Sequence, residues 1–134
     1  MNDKTESLEN WPGSIKAITV FAEDLEVTKE FYKRVFGLPI HYEDQDSTVF
    51  KFGATLINLL KVSEANELIE PAKVATREAG SRFVFSPEVE DIDAKCEELR
   101  KNGVELLNGP MNRPWGLRTA SFMDPAGCIW EIAK

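Results

Sequence analysis

Histidine is nearly absent from this chain, with His41 the only one. A centre assembled from several imidazoles, or a nucleophile activated through a Ser-His-Asp or Cys-His arrangement, therefore has almost nothing to build from. Cysteine is nearly as scarce: Cys96 and Cys128 fall on a predicted helix and a predicted strand, without CxxC spacing. That excludes a disulfide framework and a thiolate metal knuckle, and a reduced, cytoplasmic protein is expected. There is no apolar run of membrane-spanning length and no recognisable secretory signal. Basic residues are outnumbered, 16 against 23 acidic ones, for a net charge of -7. This balance argues against nucleic acid or an anionic membrane as partner.

What remains is a chain of 134 residues with 43% hydrophobic content, enough for one domain with a real core. Residues 1–14 are polar and read as an arm, with Trp11 at its end. A single domain is expected over 15–134, built as repeat one at 15–62, a connector at 63–80 and repeat two at 81–134.

In repeat one, Ile15 to Phe21 is a β-rich run and Asp24 is placed to cap a helix. Leu25, Val27, Phe31, Tyr32, Val35 and Phe36 recur with helical spacing until Gly37 stops them. Strands are expected at Leu38–Tyr42, Ser47–Phe52 and Ala54–Val62. The connector is charged and turn-rich, with short helical patches expected near Glu67 and Lys73.

The pattern then begins again: a strand at Arg82–Phe85, a helix opened by Asp91 and ended by Gly103, a strand at Val104–Leu107, and a loop at Asn108–Pro114. Trp115 to Lys134 closes the chain as a hairpin, with Asp124-Pro125-Ala126-Gly127 supplying the turn. Aligning Asp24 with Asp91 brings Asn58 opposite Glu131, so the chain is an internal repeat of β-α-β-β-β units. The expected fold is α+β, two such units forming a curved mixed sheet with helices outside and a concave cleft inside.

Glu131 sits among Ile129, Trp130, Ile132 and Ala133. An unpaired carboxylate buried in such a run costs several kcal/mol. It either faces a cavity, a cation or a ligand, or stands at an edge open to water.

The stretches AEDLEVTKEFYKRVFGL, VEDIDAKCEELRKNGVEL and PWGLRTASFMDPAGCIWEI resemble the vicinal oxygen chelate superfamily, which includes glyoxalase, the extradiol dioxygenases and the bleomycin resistance proteins. The final strand with DPxGxxxE carries most of that resemblance, which covers nearly the whole chain after Pro12. It implies a divalent ion held on the concave face by residues of the first and last strand of each repeat. Carried across, those positions are Ala17, Asn58, Val84 and Glu131. Ala and Val have no donor atom, and an amide oxygen with one carboxylate holds a divalent ion weakly, so no metal and no cofactor are expected. His41 lies on a different strand and reads as a half-exposed strand residue.

Two functions follow. In the first, similar to the bleomycin resistance branch, a metal-free cleft binds a small, cationic or hydrogen-bond-donating molecule through Asn58, Glu131, Trp115, Arg118, Phe50 and Phe52. Several of these have other uses: Phe50 and Phe52 share one strand face and could equally be core, and Arg118 could pair with Glu131 across the hairpin. In the second, the protein is a metal-dependent glyoxalase-like isomerase or lyase, or a dioxygenase-type enzyme, with Glu131 as ligand or general base. The resemblance also implies a homodimer.

Overall fold

The computed structural model describes residues 13–134; the expected arm, Trp11 included, lies almost wholly outside them. The first unit comprises β1 (Ala17–Ala22), α1 (Leu25–Phe36), β2 (Ile40–Glu43), β3 (Ser47–Phe52) and β4 (Thr55–Lys61). After it come α2 (Val62–Ile69) and a 3-10 turn at Arg77–Ala79. The second unit comprises β5 (Val84–Phe85), α3 (Ile92–Lys101), β6 (Asn108–Asn112), β7 (Arg118–Met123) and β8 (Ile129–Ala133). Each unit makes its own four-stranded mixed sheet, ordered β1-β4-β3-β2 and β5-β8-β7-β6. In both, the first and last strands pair in parallel and the others antiparallel.

Both long helices start by the same device. Asp24 and Asp91 stand in extended backbone just before α1 and α3, and their carboxylates accept from the amides of Val27 and Ala94, each at 3.1 Å. Such a cap stabilises a helix by about 1 kcal/mol. Gly37 ends α1 with φ of 66°, a left-handed conformation that costs glycine nothing.

Alternation along the strands sends Ile57 and Leu59 of β4, Ala120 and Phe122 of β7, and Trp130 and Ile132 of β8 into one buried core. Helix α1 joins the halves. The Tyr32 ring lies 5.5 Å from Phe50 of the first sheet and 6.0 Å from Trp130 of the second, and Phe36 lies 4.5 Å from Trp130. The helix side of both sheets is therefore a single shared core. The opposite faces are termed here the cleft faces.

Some boundaries differ from the sequence reading. Val104–Leu107 is not a strand, and most of the expected loop at 108–114 is occupied by β6. Gly109 and Pro110 read as breakers, but they form a bulge inside the ladder, with a register shift between Asn108 and Met111. Gly109 has φ of 88°, and a Cβ there would lie 2.4 Å from the Thr119 carbonyl oxygen, so only glycine fits this close approach. The connector carries one helix leaving directly from β4, with Ala65 buried, and no helix around Lys73. β5 shrinks to two residues. His41 is exposed, within a register shift of β2.

Candidate functional site

The positions singled out by the repeat are equivalent in the ladders. Ala17 pairs with Leu56, two residues short of Asn58 on β4, and Val84 pairs with Ile129, two short of Glu131 on β8. Because their neighbours Ile57, Leu59, Trp130 and Ile132 are core residues, Asn58 and Glu131 project onto the cleft faces of their sheets.

The Asn58 Oδ1 is buried with no hydrogen-bond partner. Glu131, half-buried, enters none of the ion pairs or side-chain hydrogen bonds among the described residues. An orphaned buried acceptor costs about 1–3 kcal/mol, so Asn58 marks a surface left unfinished by the described residues, while Glu131 keeps access to water. The positions do not fit a divalent ion. Ala17 and Val84 contribute no donor atom, and among the described residues no group of three or more His, Cys, Asp or Glu side chains could hold one.

The same hairpin carries a carboxylate with the opposite treatment. Asp124, 1% exposed, accepts from the Tyr32 hydroxyl at 2.8 Å, the Trp130 indole N–H at 3.0 Å and the amides of Ala126 and Cys128 at 2.9 and 3.0 Å. Burial, helped by the nearby Asp124, raises the Tyr32 hydroxyl far above its ordinary range. Burial first and Asp124 second push the Cys128 thiol up to about 12, so it stays protonated at neutral pH and offers no nucleophile.

The other candidates separate by strand parity. Phe50 is fully buried against Tyr32, and Phe52 packs on Phe36 and Trp130; both belong to the helix side and not to a cleft wall. Arg118 has the parity of Ala120 and Phe122, and its guanidinium pairs with Asp93 of α3 at 2.8 Å. It does not meet Glu131, whose cross-strand partner is Ser121. Only Asn58 and Glu131 are on the cleft faces, with Trp115, 66% exposed, on the adjoining loop.

A residue the sequence reading passed over is brought there too. Arg113 donates from Nε to Thr119 Oγ1 at 2.8 Å and from Nη2 to Asn108 Oδ1 at 3.1 Å, and its guanidinium lies 5.8 Å from the Trp115 ring centre. The signal for it was available. Thr119 and Ser121 are polar positions alternating with the apolar Ala120 and Phe122, which identifies the cleft face of β7.

Cavities lie elsewhere among the described residues, and two are lined partly by core side chains. One of about 220 Å³ sits at the end of β1 beneath the connector, lined by Phe21, Val62, Arg77, Arg82, Phe83 and Cys128. There Arg77 donates to the Pro125 carbonyl at 3.0 Å while its own amide is held by Glu23, so it ties the connector to the hairpin turn. The other, of about 140 Å³, is an apolar crevice between α1 and α3 that includes Phe36, Phe52 and Leu99.

A profile of the Glyoxalase/Bleomycin resistance protein/Dioxygenase superfamily matches residues 14–132. With its paired β-α-β-β-β units, the chain belongs to that superfamily. It is 35% identical over 121 residues to the uncharacterized protein YraH of Bacillus subtilis (strain 168), spanning 87% of this chain and 94% of that one. Among solved structures it resembles a glyoxalase/bleomycin resistance protein/dioxygenase from Nocardioides, with a TM-score of 0.83 and 22% identity over 98% of this chain and 92% of that one. A glyoxalase-related enzyme from Fulvimarina pelagi gives 0.79 and 24% identity, covering 91% and 88%. At these identities the structural likeness speaks for the fold.

Proposed function

We propose that this chain binds a small molecule on its cleft faces without a divalent metal and performs no chemistry of its own. The observation that carries this reading is the set of four register-equivalent positions: two hydrocarbon side chains, Ala17 and Val84, beside two unpartnered polar ones, Asn58 and Glu131. A carboxylate free of internal partners is suited to a cationic or hydrogen-bond-donating group of the ligand, and the orphaned Asn58 oxygen to a second donor. The metal-dependent isomerase, lyase or dioxygenase reading finds no donor set among the described residues to support it.

A homodimer belongs to the same proposal. Val84, Met111 and Met123 on the second cleft face and Tyr42 on the first are exposed apolar side chains that a second copy of the chain would cover while closing the site. No helix among the described residues is long and apolar enough to cross a membrane. The buried free thiols Cys96 and Cys128 go with a reducing, cytoplasmic setting.

The test is a thermal-shift screen of small amines and polar metabolites against the native chain and Glu131→Gln. Hits lost in the variant and indifferent to chelators are expected. Hits that demand an added divalent ion would sink the reading.

A further inference from the structure

We propose that Arg113 is the anion-binding residue of this cleft, so that its ligand carries a carboxylate beside the donor group taken by Glu131. The inference rests on the binding reading above and narrows it to zwitterionic, amino-acid-like molecules with an apolar body.

Lys29, Arg34, Lys61, Lys95, Arg100 and Arg118 each meet a carboxylate. Within the described residues other cations, Arg77 on the Pro125 carbonyl among them, do not, and neither does Arg113. It is only half-exposed, yet both of its bonds go to neutral acceptors, the Thr119 hydroxyl and the Asn108 amide oxygen. These fix the plane of the guanidinium and leave its charge unspent. Of its five N–H donors, those at Nη1 bond to nothing among the described residues. A planar fork held in advance in this way suits a carboxylate, which it engages through two parallel bonds.

The surroundings supply the rest of the ligand's outline. Asn108, Ser121 and Glu131 lie in one row across β6, β7 and β8 on the cleft face. The outer strands of that row are about 10 Å apart, so Arg113 at one end and Glu131 at the other present opposite charges that do not neutralise each other. Beside Arg113 the Trp115 ring is exposed and its loop is anchored. The Arg113 amide donates to the Leu117 carbonyl at 2.7 Å and the Gly116 amide returns to the Arg113 carbonyl at 3.0 Å, closing a turn that holds the indole over the guanidinium. A flat apolar wall next to a cation and a carboxylate is complementary to an aromatic or aliphatic body bearing both charges.

The alternative is that Arg113 only staples its loop. Three probes separate the two: phenylalanine, which has both charges, phenylalaninamide, which has only the cation, and 3-phenylpropionate, which has only the anion. Their binding is followed at millimolar concentration by calorimetry and by Trp115 fluorescence, with Trp115→Phe as the control. Phenylalanine should bind best. Arg113→Gln should weaken phenylalanine and 3-phenylpropionate about tenfold or more, equivalent to about 1.4 kcal/mol, and leave phenylalaninamide unchanged. Glu131→Gln should weaken phenylalanine and phenylalaninamide and leave 3-phenylpropionate unchanged. Arg113→Lys, which keeps the charge and loses the fork, should be intermediate and guards against misfolding of the glutamine variant, checked by its melting curve. If 3-phenylpropionate binds Arg113→Gln as well as it binds the native protein, or if phenylalanine binds the native protein no better than phenylalaninamide, the assignment is wrong. Failure of the underlying reading looks different: silence from all three probes together with a melting shift on adding a divalent ion.

Discussion

Asp124 and Glu131 lie seven residues apart on one hairpin and are handled in opposite ways. Asp124 is sealed from water and surrounded by four donors from three parts of the chain, so it ties the turn, the closing strand and helix α1 together. Glu131, on the other face of β8, is given no partner at all among the described residues. A fold that satisfies one carboxylate so completely and leaves the other bare uses the first for cohesion, and on the proposed reading the second is the ligand's.

Removing Asp124 should have the largest effect. Asp124→Ala orphans four donors, three of them buried, and should destabilise by about 3–5 kcal/mol, a large part of the stability of a small domain. Urea unfolding measures it, and a loss no greater than that from changing Glu131 would break the contrast. Gly109→Ala comes next. Its Cβ would collide with the Thr119 carbonyl oxygen in a backbone conformation glycine alone adopts easily, for about 2–3 kcal/mol. It should also weaken carboxylate binding, because the bulge delivers Asn108 to Arg113.

Tyr32→Phe removes one of the four donors and joins the halves less firmly. A cost of about 1–3 kcal/mol is expected, appearing as one cooperative transition at lower denaturant, since the helix belongs to a core shared by both sheets.

Alkaline pH sharpens the same comparison. The Cys128 thiol is raised in the folded state, so below the unfolded value of about 8.5 its contribution is fully present. Above that, the unfolded chain ionises first, and stability falls as pH rises toward the folded value of about 12. Tyr32, also raised, acts in the same direction at higher pH. The melting temperature should decline across this window, less steeply in Cys128→Ala. The smallest stability effect is expected from Glu131→Gln, within about 0.5 kcal/mol, since no internal partner is lost.

Much of this was legible in the sequence because it is local. Asp24 and Asp91 cap by contacts three residues away, Gly37 stops a helix by its own backbone, and the DPAG turn is set by its own residues. The repeat carried the register: aligning the two caps placed Asn58 and Glu131 in equivalent positions, as the ladders have them. What misled was non-local. Arg118 read as a ligand-binding residue or a hairpin partner of Glu131, but β7 pairs so that Arg118 exchanges backbone bonds with Lys134 and reaches Asp93 on a helix 25 residues earlier. Phe50 and Phe52 could not be assigned a face until α1 supplied Tyr32 and Phe36 to pack against them. Gly109-Pro110 looked like the end of a strand because a bulge and a loop use the same residues. With that frame lost, Arg113 was lost too.

The account stands or falls on whether the cleft holds a metal. The direct measurement is the metal content of protein purified without a metal-affinity tag, with thermal unfolding recorded as divalent ions are titrated in. No bound metal and an unmoved midpoint are predicted. A stoichiometric ion would contradict the account, as would a shift of several degrees, the size expected when a ligand at a hundredfold excess over its Kd adds about 2.7 kcal/mol, that disappears in Glu131→Gln.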